Sequence, residues 1–181
     1  MNLQSIIDWD DHASKKLRLK DENKLLWRLA TFTAHSGDSW FWLPGLGIAW
    51  IFASGIWRVR LATIIFGMIF LALFVLAIKF TVRRARPAGE WGAIYRNTDP
   101  HSFPSGHAAR AAMLAVAMLG LGPTWLGILL LLWAPLVCLA RVATGVHYLS
   151  DVAAGILIGI LMGSGILLVQ PLLISRLPFF F

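Results

Sequence analysis

Two histidines, an aspartate and a group of arginines and lysines stand at the ends of long apolar runs in this chain. Lys79, Arg86 and Pro87 follow one run, Pro104, Ser105, Gly106 and His107 open the next, and Arg141, His147 and Asp151 bracket the last junction. Cations are costly in hydrocarbon, so several gathered at membrane-helix ends read as a site before they read as structure. The planar fork of an arginine grips two oxygens of a phosphate. Ser105 suits a helix N-cap, and the free backbone N–H groups after such a cap make an anion seat. Gly106 lets a ligand come close to that backbone. His107 then falls in the first turn, placed to donate a proton. His147 and Asp151 are four residues apart and share a helical face once the helix has begun. A carboxylate on one imidazole nitrogen fixes the tautomer and leaves the other nitrogen free to attack. These residue types allow phosphoryl transfer to an imidazole with acid assistance. Each also has a bland reading: Arg83 and Arg84 as positive-inside anchors, residues 104–107 as an ordinary cap, His147 and Asp151 as a structural pair.

The elements that must position this chemistry are membrane helices. The chain has 181 residues, 58% of them apolar and 14% charged. Soluble domains run at about 45–50% apolar and about 25% charged. The net charge of +7 lies wholly in residues 39–181, because six cations balance six anions in residues 1–38. That excess favours an anionic ligand or anionic headgroups. Nucleic acid is a poor partner, since the basic residues interrupt apolar runs and form no exposed stripe. Cys138 is the single cysteine, so no intrachain disulfide forms, and its place in an apolar run marks a small buried hydrophobe. The first apolar run starts late and lacks a small-residue cleavage pattern, so no signal peptide is expected.

Five spans are predicted. Ser39–Trp57 is the first, with tryptophans near both ends, and Arg58 and Arg60 mark a tight turn before the second, Leu61–Ile78. Lys79–Phe103 reads as a loop containing Pro87, Gly89, Gly92 and Pro100. Gly120, Gly122 and Pro123 divide the next uncharged stretch into helices over 104–121 and 124–143, and the last span runs from Tyr148 to Val169, ended by Pro171. Gly155, Gly159 and Gly163 give it a smooth contact face. Residues 172–181 read as an interfacial tail. Within residues 1–38, the stretch Asn23–Phe32 is amphipathic and suits a helix lying in the interface, or else a solvated charged arm. The expected architecture is therefore an all-α polytopic bundle of about five transmembrane helices. An N-terminal interfacial segment, 1–38, precedes a membrane domain, 39–181. Parity of the spans puts the three polar clusters on one membrane face.

The strings Lys79-x6-Arg86-Pro87, Pro104-Ser105-Gly106-His107 and Arg141-x5-His147-x3-Asp151 resemble, in order and spacing, the three signature motifs of the type 2 phosphatidic acid phosphatase (PAP2) superfamily. They cover residues 79–151, and the flanking apolar runs resemble the membrane branch of that superfamily. One departure is Ala140, where the third motif usually has serine; the loss touches neither nucleophile nor acid. The resemblance implies that His147 attacks phosphorus, Asp151 orients it, and His107 protonates the leaving group. It also implies that Lys79, Arg86, Arg141, Ser105 and the Gly106 amide hold the phosphoryl oxygens. Arg83, Arg84 and Arg110 are candidate headgroup contacts. His101 reads as a solvated loop residue, and His12 and His35 have no assigned role.

The expectation is a multi-pass cell-membrane enzyme acting on a lipid phosphate without metal or cofactor. No metal-ligand spacing appears in the sequence. Candidate substrates are a polyprenyl diphosphate, such as undecaprenyl diphosphate, or a glycerolipid phosphate, such as phosphatidylglycerol phosphate or phosphatidic acid. Lipid A phosphatases belong to the same family. The alternative from another class is a non-catalytic membrane protein that binds lipid headgroups or anions. A soluble haloperoxidase-like relative is disfavoured by the spans, and a transporter by the lack of repeat halves. Lysine and arginine counts put the active face inside, whereas small bacterial members of the family commonly face outward, so the side is open. Oligomeric state is open too.

Overall fold

The computed structural model describes residues 3–19, 24–88 and 99–176. Among these the chain forms α1 (Leu3–Leu17), α2 (Lys24–His35), α3 (Ser39–Phe52), α4 (Gly55–Val82), α5 (Gly106–Leu121), α6 (Thr124–Ala143) and α7 (Leu149–Arg176). No strand occurs among the described residues; one isolated bridge joins Ala85 to His101. Helices are what a bilayer demands, since lipid offers no partner for a free backbone N–H or carbonyl. The helices α4, α6 and α7 are long and apolar enough to cross a membrane, while α3 and α5 are shorter apolar helices. The outward faces carry residues such as Phe52, Phe70, Leu132, Leu161 and Leu168, all exposed. A soluble fold would bury a surface of that kind. The molecule is a polytopic membrane helical bundle.

Three boundaries differ from the sequence reading. The first span stops at Phe52, and α4 begins at Gly55, whose φ is +54°. Arg58 and Arg60 therefore lie inside α4 and not in a turn. Their guanidiniums stack on the Trp50 and Trp57 rings at 4.6 and 4.9 Å, so aromatic faces hold the charges and helix can form around them. Pro171 does not end the last helix, which runs on to Arg176. A proline forfeits one backbone bond, but in lipid every neighbouring group still gains more from staying helical than from opening. Lys79 belongs to the last turn of α4, and the chain leaves the helix at Arg83, a left-handed C-cap at φ 52°. Residues 89–98 of the predicted loop and 177–181 of the tail lie outside the described residues.

At the centre lies α5, whose Ala108, Ala109, Ala111, Met113, Leu114, Ala115 and Ala117 are buried. It packs chiefly on α7 and α6. The glycine stripe of α7 makes that approach possible. A Cβ at Gly155 would lie 2.5 Å from the Ser105 carbonyl oxygen, and one at Gly163 would lie 2.8 Å from Val116 Cβ. This closeness sets the polar ends of α5 and α7 side by side.

The helices α1 and α2 both carry apolar side chains outward, and α1 turns polar ones inward. In α1, Asp10 and Ser14 are buried whereas Ile6, Ile7 and Trp9 are exposed. In α2, Leu25, Leu29 and Phe32 are exposed. Helices with that disposition suit the membrane interface. Both pack on α6, and α1 also reaches α7.

Candidate active site

The three polar clusters meet at one end of the bundle. His147 sits in the short connection between α6 and α7, entered through Gly145 at φ +71°. The ring is fully buried, at 1% exposure. Its Nε2 lies 3.3 Å from Arg86 Nη1. A guanidinium can only donate, so Nε2 accepts and the ring proton belongs on Nδ1. Nδ1 lies 3.5 Å from Asp151 Oδ2, long for a hydrogen bond but close enough to orient the ring. Burial, and then the charges of Arg141 and Arg86, pull the His147 pKa from 6.5 down to about 3 against the pull of Asp151. The imidazole is neutral near pH 7, with an available lone pair facing a cation.

Asp151 is held on all sides. Its Oδ2 accepts the Tyr148 N–H at 2.9 Å, and its Oδ1 accepts Arg84 Nη1 at 2.8 Å. The Ser105 N–H donates to the Asp151 carbonyl at 2.9 Å, tying the α5 entry to the α7 entry. Arg84 also donates to Ser150 Oγ at 2.6 Å and to Asp10 Oδ2 at 2.7 Å, and it lies over the Tyr148 ring. Arg84 is therefore a tether of the aspartate.

The remaining cations make a cradle. Arg86 donates from Nη1 to the Val146 carbonyl at 2.9 Å and from Nη2 to Asp99 Oδ2 at 2.8 Å. Lys79 donates to both Asp99 carboxylate oxygens, at 3.0 and 2.8 Å, and to the His101 carbonyl at 2.6 Å. Arg141, in the last turn of α6, is buried at 1% exposure, and its charge reaches Lys79, His107 and His147. Ser105 is the N-cap of α5 and its side chain accepts from the Ala108 N–H. Beside it a Cβ at Gly106 would meet only Val75 at 3.6 Å and Arg110 at 3.9 Å, so the backbone lies open to a ligand. A cavity of about 180 Å³ joins Lys79, Asp99, Gly106, His107, Arg110 and His147 to an apolar wall that includes Leu71, Val75 and Leu76.

His107 lies in the first turn of α5, and its Nε2 pairs with Asp38 Oδ1. Asp38 also accepts from His35 Nδ1 at 3.0 Å and Trp40 Nε1 at 3.1 Å. Burial alone would raise the Asp38 pKa, but the hydrogen bonds and charges of His107 and His35 hold it well below the usual carboxylate range. Arg110 donates from Nε to the Gly37 carbonyl at 2.9 Å while lining the cavity. Arg83 stands apart: it is exposed and its Nε bonds the Phe80 carbonyl. The ring of His101 stacks edge-on against Phe80, and only its carbonyl enters the cradle.

Sequence reasoning missed Asp99, Asp38, Asp10 and the contact of His35. Asp99 could have been suspected as one of three anions in the cation-rich part of the chain. Asp38 stands immediately before the first apolar run, where a carboxylate is expensive unless paired. Asp10 leaves no local signal.

A helical membrane bundle with a buried imidazole, its carboxylate and several cations converging at one end defines a class: membrane proteins with a polar anion-receiving centre. The chain belongs to the PAP2 superfamily, which residues 60–174 match. It is 34% identical over 141 residues to an undecaprenyl-diphosphatase of Sulfolobus acidocaldarius, covering 72% of this chain and 64% of that protein. It is 41% identical over 90 residues to the decaprenylphosphoryl-5-phosphoribose phosphatase of Mycobacterium tuberculosis, covering 48% of each. The chain thus spans from about half to just under two thirds of the length of these relatives. Among solved structures, it resembles the transmembrane PAP2 type phosphatidylglycerolphosphate phosphatase from Bacillus subtilis, with TM-score 0.73, 25% identity, and coverage of 90% of this chain and 84% of that one. It also resembles Aquifex aeolicus LpxE, with TM-score 0.65, 27% identity, and coverage of 81% and 87%.

Proposed function

We propose that the protein is a membrane phosphatase that hydrolyses a lipid phosphate through a phosphohistidine on His147. The observation that carries this reading is the Arg86–His147–Asp151 arrangement, in which an unprotonated Nε2 faces a guanidinium while the other side of the ring faces a carboxylate. Nε2 attacks phosphorus as the bond from phosphorus to the leaving oxygen breaks, and His107 gives that oxygen a proton. Water then attacks the phosphohistidine and loses a proton to His107; inorganic phosphate departs and Nε2 recovers its lone pair. Asp151 steadies the charge on the ring while phosphorus is attached. Lys79, Arg86, Arg141, Ser105 and the Gly106 amide hold the phosphoryl oxygens, Arg110 lines the cavity beside them, and Arg84 stands behind the site. Chemistry of this kind is chiefly positioning and electrostatic stabilisation. The cations supply the countercharge, so the mechanism uses no metal.

The substrate class that fits best is a polyprenyl diphosphate or phosphate. The cavity joins the cations to an apolar wall, as a headgroup with a long tail requires. Two relatives carry names of enzymes acting on polyprenyl carriers. The site would work at one face of the cell membrane, with residues 1–38 as its interfacial segment and 39–181 as the membrane domain.

The test is phosphate release by the purified protein in detergent, given undecaprenyl diphosphate, phosphatidylglycerol phosphate or phosphatidic acid, with and without EDTA. Wild type is expected to act fastest on the polyprenyl diphosphate and to ignore EDTA. His147→Ala is expected to lose about 10⁴-fold or more in rate, as nucleophile deletions do. Equal release by variant and wild type removes the mechanism and leaves an anion-binding protein. A faster rate on a glycerolipid phosphate replaces the substrate assignment alone.

A further inference from the structure

The turn between α2 and α3, Ser36-Gly37-Asp38, is outside every motif, yet it lies against His107. Its polar atoms are fixed from several elements. Trp133 Nε1 of α6 donates to Ser36 Oγ at 2.9 Å, and Trp42 Nε1 of α3 donates to the Ser36 carbonyl at 2.8 Å. Arg110 of α5 donates to the Gly37 carbonyl. Gly37 makes the close approach possible: a Cβ there would lie 3.1 Å from Val137 and 3.4 Å from the His107 ring.

Asp38 occupies the N-cap position of α3, where an aspartate ordinarily bonds the free N–H groups of the first turn. Its side chain makes no such bond. The carboxylate is committed instead to His107, His35 and Trp40. The other charged and titratable groups around His107 are Arg110 on its own helix α5, Arg141 from α6, Lys79 from α4, Asp99 from the preceding loop and His147 from the α6–α7 connection. An acid catalyst must keep its proton until the leaving oxygen needs it, and guanidiniums repel that proton. An adjoining carboxylate opposes that repulsion.

We propose that Asp38 is a positioning residue for His107, holding Nε2 and its proton so that Nδ1 exchanges a proton with the leaving oxygen and then with water. The proposal rests on the reading of His107 as the acid and adds a partner to it. It gives each active imidazole a carboxylate of its own, Asp151 for His147 and Asp38 for His107.

The test uses two substrates that differ in their need for a proton. Phosphatidic acid expels an alkoxide, whereas p-nitrophenyl phosphate expels a stable phenolate. Wild type, Asp38→Asn, Asp38→Glu, His107→Ala and the double variant Asp38→Asn/His107→Ala are compared in detergent. The ratio of the two activities in one preparation does not depend on the folded fraction. Asp38→Asn is expected to lose about 10- to 100-fold in kcat/KM on phosphatidic acid and under about 3-fold on the aryl ester, since kcat/KM reports transfer to His147 and not the shared water step; the loss is part of the roughly 10²- to 10⁴-fold that general acid catalysis contributes. Asp38→Glu is expected to recover part of the ratio. The double variant is expected to be no worse than His107→Ala, as for residues acting in one unit. Equal losses on both substrates for Asp38→Asn, or none on either, overturn the proposal while His107→Ala still discriminates between them. If His107→Ala does not discriminate, the acid assignment fails, and the role of Asp38 falls with it.

Discussion

His147 answers two opposed demands. As the proposed nucleophile it needs a free lone pair, and burial, followed by the charges of Arg141 and Arg86, keeps a second proton away. The phosphorylated ring needs an anion, which Asp151 supplies from the other side. The same arrangement makes the fold sensitive to acid. The folded pKa is about 3 against an ordinary 6.5, so between those values the unfolded chain binds a proton that the folded one refuses. Stability therefore falls as pH is lowered from about 6.5 toward 3. The thermal midpoint of the detergent-solubilised protein is expected to drop through this window. For a chain of this size each kcal/mol corresponds to about 2–4 °C. His147→Asn should drop less, and superimposable midpoint curves for the two proteins would rule out the buried neutral imidazole as the cause. Asp99 shows the complementary case. Its carboxylate rests on Lys79 and Arg86, two of the three cations assigned to phosphate, which marks their affinity for a compact anion.

At the scale of elements, α1 acts as an external cap for α7. Asp10 Oδ1 accepts the Ser150 N–H at 3.0 Å, and Ser14 Oγ accepts the Leu149 N–H at 2.9 Å. The first turn of α7 thereby finds partners about 140 residues away in the chain. Asp10 also grips Arg84, which grips Asp151. Removing Asp10 strands a partly buried N–H and loosens the arginine, and losses of this type cost about 1–3 kcal/mol. Asp10→Ala is expected to lower the thermal midpoint by several degrees and kcat by roughly 10-fold. An unchanged kcat would show that Asp151 is held without α1. This cap also marks the limit of reading the sequence. The break at Gly122-Pro123, the Ser105 cap and the Gly155-Gly159-Gly163 face were legible because each is set by local backbone chemistry. The motif residues were legible because a cation at the end of an apolar span is costly unless it binds something. Asp10 and Asp38 were not, because their partners lie far along the chain and residues 1–38 have balanced charge. Pro171 and Arg58 were misjudged by rules learned in water, where opening a helix is cheap.

For the whole molecule, the decisive fact is where the polar centre meets the apolar surface. The cavity runs from Lys79, His107 and His147 along α4, past Val75 and Leu76 to Leu71 and Ala72. Positions 72 and 79 are two turns apart on this helix, about 10 Å by its rise. A lipid phosphate can keep its tail among Leu71, Ala72, Val75 and Leu76 while its headgroup reaches the cations. A water-soluble ester needs only the polar end. Ala72 is partly exposed and small, so a large side chain there would fill the passage without entering the core. Ala72→Trp is therefore expected to raise KM for a long-chain polyprenyl or diacyl phosphate by about 10-fold, the effect of losing roughly 1.4 kcal/mol of binding. The rate on p-nitrophenyl phosphate should stay within about 2-fold of wild type, since neither His147 nor His107 is disturbed. Kinetics of the purified variant on both substrates decide the matter. If the two substrates suffer equally, the tail does not lie along α4, and that route has to be abandoned.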